Sequence, residues 1–167
     1  MITVSVDSVR VSLISHHRII LLKDTAAARY LPIWVGPFEA DAIVMALQRV
    51  DPPRPMTHDL LKNTIGALEG SVSHVLISGL QDNTFFARIV LDVGGRHVEL
   101  DSRPSDAMAL AVRCGVPIYA SDEVIAQAGI VRAPELEPIS PEEEAQLKPF
   151  RDFVNTLDLD DPGQDPT

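Results

Sequence analysis

The chain opens with alternation. Val4, Val6, Val9, Val11 and Leu13 recur between polar residues across 2–14, with one slip in the period-two pattern that reads as a bulge. A second β-branched run covers 18–23, and a third strand runs from Tyr30 to Val35 before Gly36-Pro37 breaks it. Proline suits a first helical turn, because its φ is already fixed and an N–H there has no intrahelical partner anyway. A helix therefore opens at Pro37, with Ala40, Ile43, Val44 and Leu47 on one apolar stripe. Asp51-Pro52-Pro53-Arg54-Pro55 stops it. Thr57 is the expected N-cap of a second helix, whose stripe is Leu61, Ile65 and Leu68 and whose end is Gly70.

Residues 72–101 read as an antiparallel meander of three strands. Gly94 and Gly95 both tolerate positive φ, which a two-residue hairpin loop demands, and taking them as the loop fixes a register. Leu91 then faces Val98 and Ile89 faces Leu100 on one side, while Asp92 faces His97 and Arg88 faces Asp101 on the other. Arg88 is thus the expected electrostatic neighbour of Asp101. A third helix opens at Pro104, turns Ala107, Leu110, Ala111 and Cys114 inward, and stops at Gly115. A short strand over 117–120 and a brief helix capped by Ser121 follow. Ser140-Pro141-Glu142-Glu143 starts an acidic C-terminal helix. The predicted fold is α+β: a mixed, mainly antiparallel sheet with helices packed against it. A core domain covers 1–132, an acidic helical extension 133–157, and a disordered tail 158–167.

Composition sharpens this in two ways. A hydrophobic content of 46% excludes global disorder. The net charge of −10 looks hostile to nucleic acid, but residues 133–167 hold ten acidic and two basic side chains, against fourteen and twelve in 1–132. The body is nearly neutral, so a phosphate-binding site on it stays open. Cys114, the one cysteine, excludes an internal disulfide and reads as a packed thiol. Met1 to Asp7 lacks a charged region followed by an apolar core, and no apolar run is long enough to span a bilayer. A cytoplasmic protein that avoids membranes is expected.

Three motifs can carry chemistry. In Gly36-Pro37-Phe38-Glu39-Ala40-Asp41, the helix dipole accounts for Asp41, whereas Glu39 sits at a strand-to-helix turn of the kind found on a sheet rim. The second, Arg54 to Leu61, holds the adjacent pair His58-Asp59, suited to general acid–base work. His16 and His17 show no ligand spacing, and His74 and His97 read as sheet residues. The third is Asp101-Ser102-Arg103-Pro104-Ser105-Asp106. Its two carboxylates have the means to share a divalent ion, and its arginine to grip a phosphate with two donors. Each motif also has a plainer reading as a helix cap or ion pair: Asp101, for instance, can simply pair with Arg88 or Arg103. The chain has no Walker loop, GxSxG or CxxC.

Taken together, the motifs resemble the bifunctional nuclease domain family over about residues 2–130. The matching blocks are Leu31-Pro32-Ile33-Trp34-Val35-Gly36 with Glu39-Ala40; Arg54-Pro55 with Thr57-His58-Asp59-Leu60-Leu61; Thr84-Phe85-Phe86-Ala87; and Asp101 with Arg103-Pro104-Ser105-Asp106-Ala107 and Ala109-Leu110-Ala111. Ser102 and Met108 stand where Ala and Ile are usual. The resemblance implies an α+β fold, a homo-oligomer with a dimer favoured, and hydrolysis of RNA and DNA. It brings no catalytic roles, so these are inferred from the residues. Asp101 and Asp106, with Glu39, would gather magnesium or manganese to activate water. Arg54, Arg103 and Ser105 would hold the phosphate, and His58, oriented by Asp59, would protonate the leaving group. The alternative is a non-catalytic regulatory module that oligomerises and binds a protein or nucleic-acid partner.

Overall fold

The computed structural model of the protein describes residues 1–11 and 18–131. Met1–Arg132 form one compact unit. The expected acidic helix and tail, the end of the first expected strand, and His16 and His17 lie outside the described residues.

The elements run β1 (Ile2–Val11), β2 (Arg18–Asp24), β3 (Arg29–Val35), α1 (Pro37–Leu47), α2 (Thr57–Ala67), β4 (Gly70–Gln81), β5 (Thr84–Val93), β6 (Arg96–Ser102), α3 (Pro104–Cys114), β7 (Ile118–Ala120), α4 (Asp122–Ala128) and β8 (Ile130–Val131). The strands form one sheet in the order β6-β5-β4-β7-β1-β2-β3-β8. Two antiparallel halves, β1-β2-β3 and β4-β5-β6, are joined by β7, which pairs antiparallel to β1 and parallel to β4. The fold is therefore α+β on a mixed sheet. The slip in the opening alternation is real: the β1–β2 register shifts between Val6 and Ser8.

The glycine hairpin behaves as its chemistry requires. Gly94 and Gly95 take φ of 56° and 75°, and all four cross-strand pairs fall in the predicted register. Arg88 lies opposite Asp101, yet its Nη1 donates to Glu99 Oε2 at 2.7 Å. Glu99 sits two residues from Asp101 on the same face, and a long side chain reaches the diagonal neighbour as readily as the direct one. Val98 and Leu100 are part-exposed because β6 is the sheet's edge, while their partners Ile89 and Leu91 are buried.

Two helix boundaries differ from expectation. Met56, not Thr57, is the N-cap of α2. Asp59 at the third helical position reaches back to accept from the Met56 N–H at 2.9 Å, so no hydroxyl cap is needed. At the other end Glu69, not Gly70, takes the left-handed conformation (φ 59°), and Gly70 already belongs to β4. Leu68 is consequently exposed rather than part of the inner stripe.

The core lies between the sheet and α3. Ala107, Met108, Ala109, Leu110 and Ala111 have no exposed surface, because α3 packs against α1, α2, β4 and β5 at once. Its alanines let these neighbours approach closely. Gly115 ends it in the left-handed region at φ 67°. Cys114 is half-buried, and burial pushes its thiol up. Asp24 is buried at the end of β2, where it accepts from the Ala26 N–H at 2.8 Å and from Arg29 Nη2 at 2.7 Å. The Ala26 hydrogen bond, with Arg29 adding to it, holds this carboxyl below the usual range against the effect of burial. Ser121 Oγ caps α4 by accepting from the Val124 N–H. Among the described residues no helix is long and apolar enough to cross a membrane.

Candidate active site

α1, α2 and α3 all begin beside one hollow. Phe38 and Glu39 from the first turn of α1, Thr57 and His58 from that of α2, and Arg103 and Asp106 around the start of α3 line a space of about 240 Å³. Proline opens α1 and α3, and neither start has a side-chain cap. The first intrahelical bonds are those of Ala40, Leu60 and Ala107, so earlier N–H groups have no partner within their helices. Three positive dipole ends thus meet at one place.

The charged groups there are tightly coupled. Arg103 donates from Nε to Asp106 Oδ2 at 2.7 Å and from Nη2 to Asp106 Oδ1 at 3.0 Å. Its Nη1 lies 3.0 Å from Glu39 Oε1. The Nε2 of His58, a buried residue, faces Asp106 Oδ1 at 3.2 Å. Burial pushes the Asp106 carboxyl up, but hydrogen bonds from Arg103 and His58 outweigh it and hold the group below its ordinary value. The same Asp106 bond, with help from Glu39, raises the Arg103 guanidinium further above the neutral range. A Cβ on Gly36 would collide with Glu39 Oε2, so the close return of this carboxylate over the turn needs the glycine.

Of the residues singled out in the sequence, Glu39, His58, Arg103 and Asp106 come together. Asp59 does not orient His58. Successive helical residues point about 100° apart, and Asp59 instead accepts from Arg113 Nε at 2.7 Å. Burial raises the Asp59 carboxyl, while the Met56 N–H and Arg113 bring it below its usual value. It lines a separate hollow of about 520 Å³ with Arg49, Lys62 and Arg113. The imidazole's carboxylate partner is Asp106, 48 residues away. Ser105 is buried and lines a neighbouring hollow of about 280 Å³ with Trp34, Thr84, Phe85 and Arg103. Asp101 and Arg54 are exposed and line none of these three hollows.

This donor set does not fit a resident magnesium or manganese ion. Both oxygens of Asp106 are taken by Arg103 and Oδ1 also faces His58, so a cation would have to displace the guanidinium. Asp101 is not beside it in the hollow. Among the described residues no group of three or more His, Cys, Asp or Glu side chains is placed to hold a metal.

Two features escaped the sequence reading. Arg113 has no local signal, since only the packing of α3 on α2 brings it to Asp59. The exposed rings of Trp34 and Phe38 did have one: Trp34 falls out of phase with buried Leu31, Ile33 and Val35, and Phe38 lies off the Ala40–Ile43 stripe.

The α+β domain thus gathers two carboxylates, a guanidinium and an imidazole at three helix starts. Residues 20–133 match the family model of the bifunctional nuclease domain, and the chain belongs to that family. An uncharacterized protein of Mycobacterium tuberculosis is 40% identical over 160 residues, which cover 95% of this chain and 96% of that one. Bifunctional nuclease 1 of Oryza sativa subsp. japonica is 29% identical over 118 residues, 69% of this chain and 36% of the rice protein. Bifunctional nuclease 2 of Arabidopsis thaliana is 31% identical over 106 residues, 62% of this chain and 32% of its own. The chain thus matches about a third of the length of each plant protein.

Proposed function

We propose that this protein hydrolyses phosphodiester bonds of RNA and DNA at the Glu39–Arg103–Asp106–His58 cluster. The observation that carries the reading is the meeting of these four side chains in one hollow at three helix N-termini. Two carboxylates face one guanidinium, so the side chains alone offer no surplus positive charge. The helix N–H groups supply it, and a protonated His58 adds to it. Asp106 holds the Nε/Nη2 edge of Arg103 and Glu39 faces Nη1, so the phosphate is met by the remaining Nη hydrogens of the guanidinium together with the helix N–H groups. Glu39 takes a proton from water, whose oxygen attacks phosphorus. The bond to the leaving oxygen breaks, and that oxygen takes a proton from His58. Asp106 stays ionised and holds the imidazole by Nε2, which leaves Nδ1 to exchange the proton. The family membership and the names of the plant relatives support the same chemistry.

The test is cleavage of RNA and DNA by the full chain, purified from a nuclease-poor host, with magnesium, with manganese and with a chelator. His58→Ala and Glu39→Gln are each expected to slow turnover by about 10²–10⁴-fold, the usual worth of a general acid or base. Undiminished cleavage by the double variant discards this site. A second reading, a non-catalytic binding module, is supported by the mutual pairing of Arg103 with Glu39 and Asp106, which gives each a structural role. It gains if the wild-type chain cleaves nothing under any condition.

A further inference from the structure

The hollow next to the cluster carries the opposite sign. Glu39 and Asp106 outnumber Arg103 in the one, whereas Arg49, Lys62 and Arg113 outnumber Asp51 and Asp59 in the other, the space of about 520 Å³. Met56 lines both, so the start of α2 is the ridge between them. The consecutive residues His58 and Asp59 line opposite sides of that ridge. In the second hollow Asp59 is fully engaged: Oδ1 accepts from Arg113 Nε at 2.7 Å and Oδ2 from the Met56 N–H at 2.9 Å. Arg49 and Lys62 then face Asp51 alone. Lys62 Nζ donates to the Arg113 carbonyl at 2.9 Å, which ties the ammonium to the end of α3 and leaves two of its three N–H bonds for a ligand. Arg49 stands just past α1 in a turn closed by the Val50 N–H on the Met45 carbonyl at 3.0 Å. Among the described residues its exposed guanidinium has no hydrogen bond or ion pair. Every nucleotide adds a phosphate, so a strand with one phosphate at Arg103 brings further ones past Met56. The second hollow offers them the surplus positive charge that the side chains of the cluster lack.

We propose that the hollow of Arg49 and Lys62 is an accessory phosphate site, which holds the backbone of a nucleic-acid strand a short way along from the bond at Arg103. The proposal rests on the functional reading above for the place of that bond. The experiment uses the His58→Ala chain, which does not consume its ligand. A short, labelled single-stranded oligodeoxynucleotide is bound at salt concentrations from about 50 to 200 mM and followed by fluorescence anisotropy. Each phosphate contact to a single strand adds about 0.7 to the slope of log affinity against log salt. Arg49→Gln and Lys62→Gln together should therefore flatten that slope by about 1.4 and weaken binding about tenfold at the lower salt. Arg49→Lys, which keeps the charge, should retain both the affinity and the slope.

Unaltered affinity in the double variant overturns the inference. So does weaker binding with an unchanged slope, since the loss is then structural. A 5′-mononucleotide that displaces the probe as well as unlabelled oligonucleotide at equal nucleotide concentration overturns it too, because the surface then takes single phosphates rather than a strand. The two readings fail separately. If wild type cleaves nucleic acid while the double variant keeps the full slope, the nuclease reading stands and this inference falls. If the slope flattens but wild type cleaves nothing, the catalytic reading falls and the accessory site stands.

Discussion

At the scale of single residues, the site depends on contacts that no local pattern encodes. The residue types were legible: an isolated carboxylate at a strand–Gly–Pro turn, a histidine in a first helical turn, and an arginine just before a helix. Their partners were not. The sequence offered Asp59 to His58 by adjacency, and helical geometry rules that out; Asp106 lies 48 residues away and arrives through packing. Gly36 shows how one hydrogen atom bears on the chemistry. Its φ of −67° and ψ of 158° suit any residue, so Gly36→Ala carries no backbone strain. The added methyl would instead strike Glu39 Oε2. The expected outcome is a variant with near wild-type thermal stability and sharply reduced phosphodiesterase turnover. Equal loss of both, measured by thermal unfolding and initial rates, would show that the glycine serves folding rather than the carboxylate.

At the scale of elements, what was readable is what proline and glycine dictate. Pro37 and Pro104 mark the helix starts, Gly115 marks a stop, and the Gly94-Gly95 loop fixes every pair of the β5–β6 ladder. The reading failed where a side chain stood in for a local signal. Asp59 secured the start of α2, and Glu69 took a left-handed turn that glycine usually fills. The burial of α3 was also under-read. Its stripe suggested one apolar face, but helices and strands enclose it, so Met108 and Ala109 are as buried as Leu110. Leu110→Ala is therefore expected to cost about 2–5 kcal/mol, the range for emptying a fully buried leucine site. Denaturant unfolding checks this, and a loss under 1 kcal/mol would mean that α3 can settle into the space.

At the scale of the whole molecule, the carboxylates link stability to pH. Asp24, Asp59 and Asp106 are each held below the ordinary carboxylate value of 3.8. A depressed value means that the folded chain binds the proton less readily than the unfolded one. The stability they contribute is complete above about pH 4 and drains away as pH falls through their lower folded values. The thermal midpoint should drop steadily below pH 4, and a midpoint flat down to pH 3 would contradict this. The α+β class followed from alternating and helical patterns, but the joining of two meanders by a three-residue strand did not, because so short a run carries almost no periodic signal. That strand, β7, has a temporal consequence. Glu39 and His58 precede the second meander, Arg103 and Asp106 follow it, and the tie between the halves comes after all four. A ribosome that has not yet released Ile118–Ala120 has already delivered all four side chains of the cluster, but has not yet delivered the strand that binds the halves into one sheet. The two halves are thus joined late in the order of the chain, by three residues that line none of the hollows described.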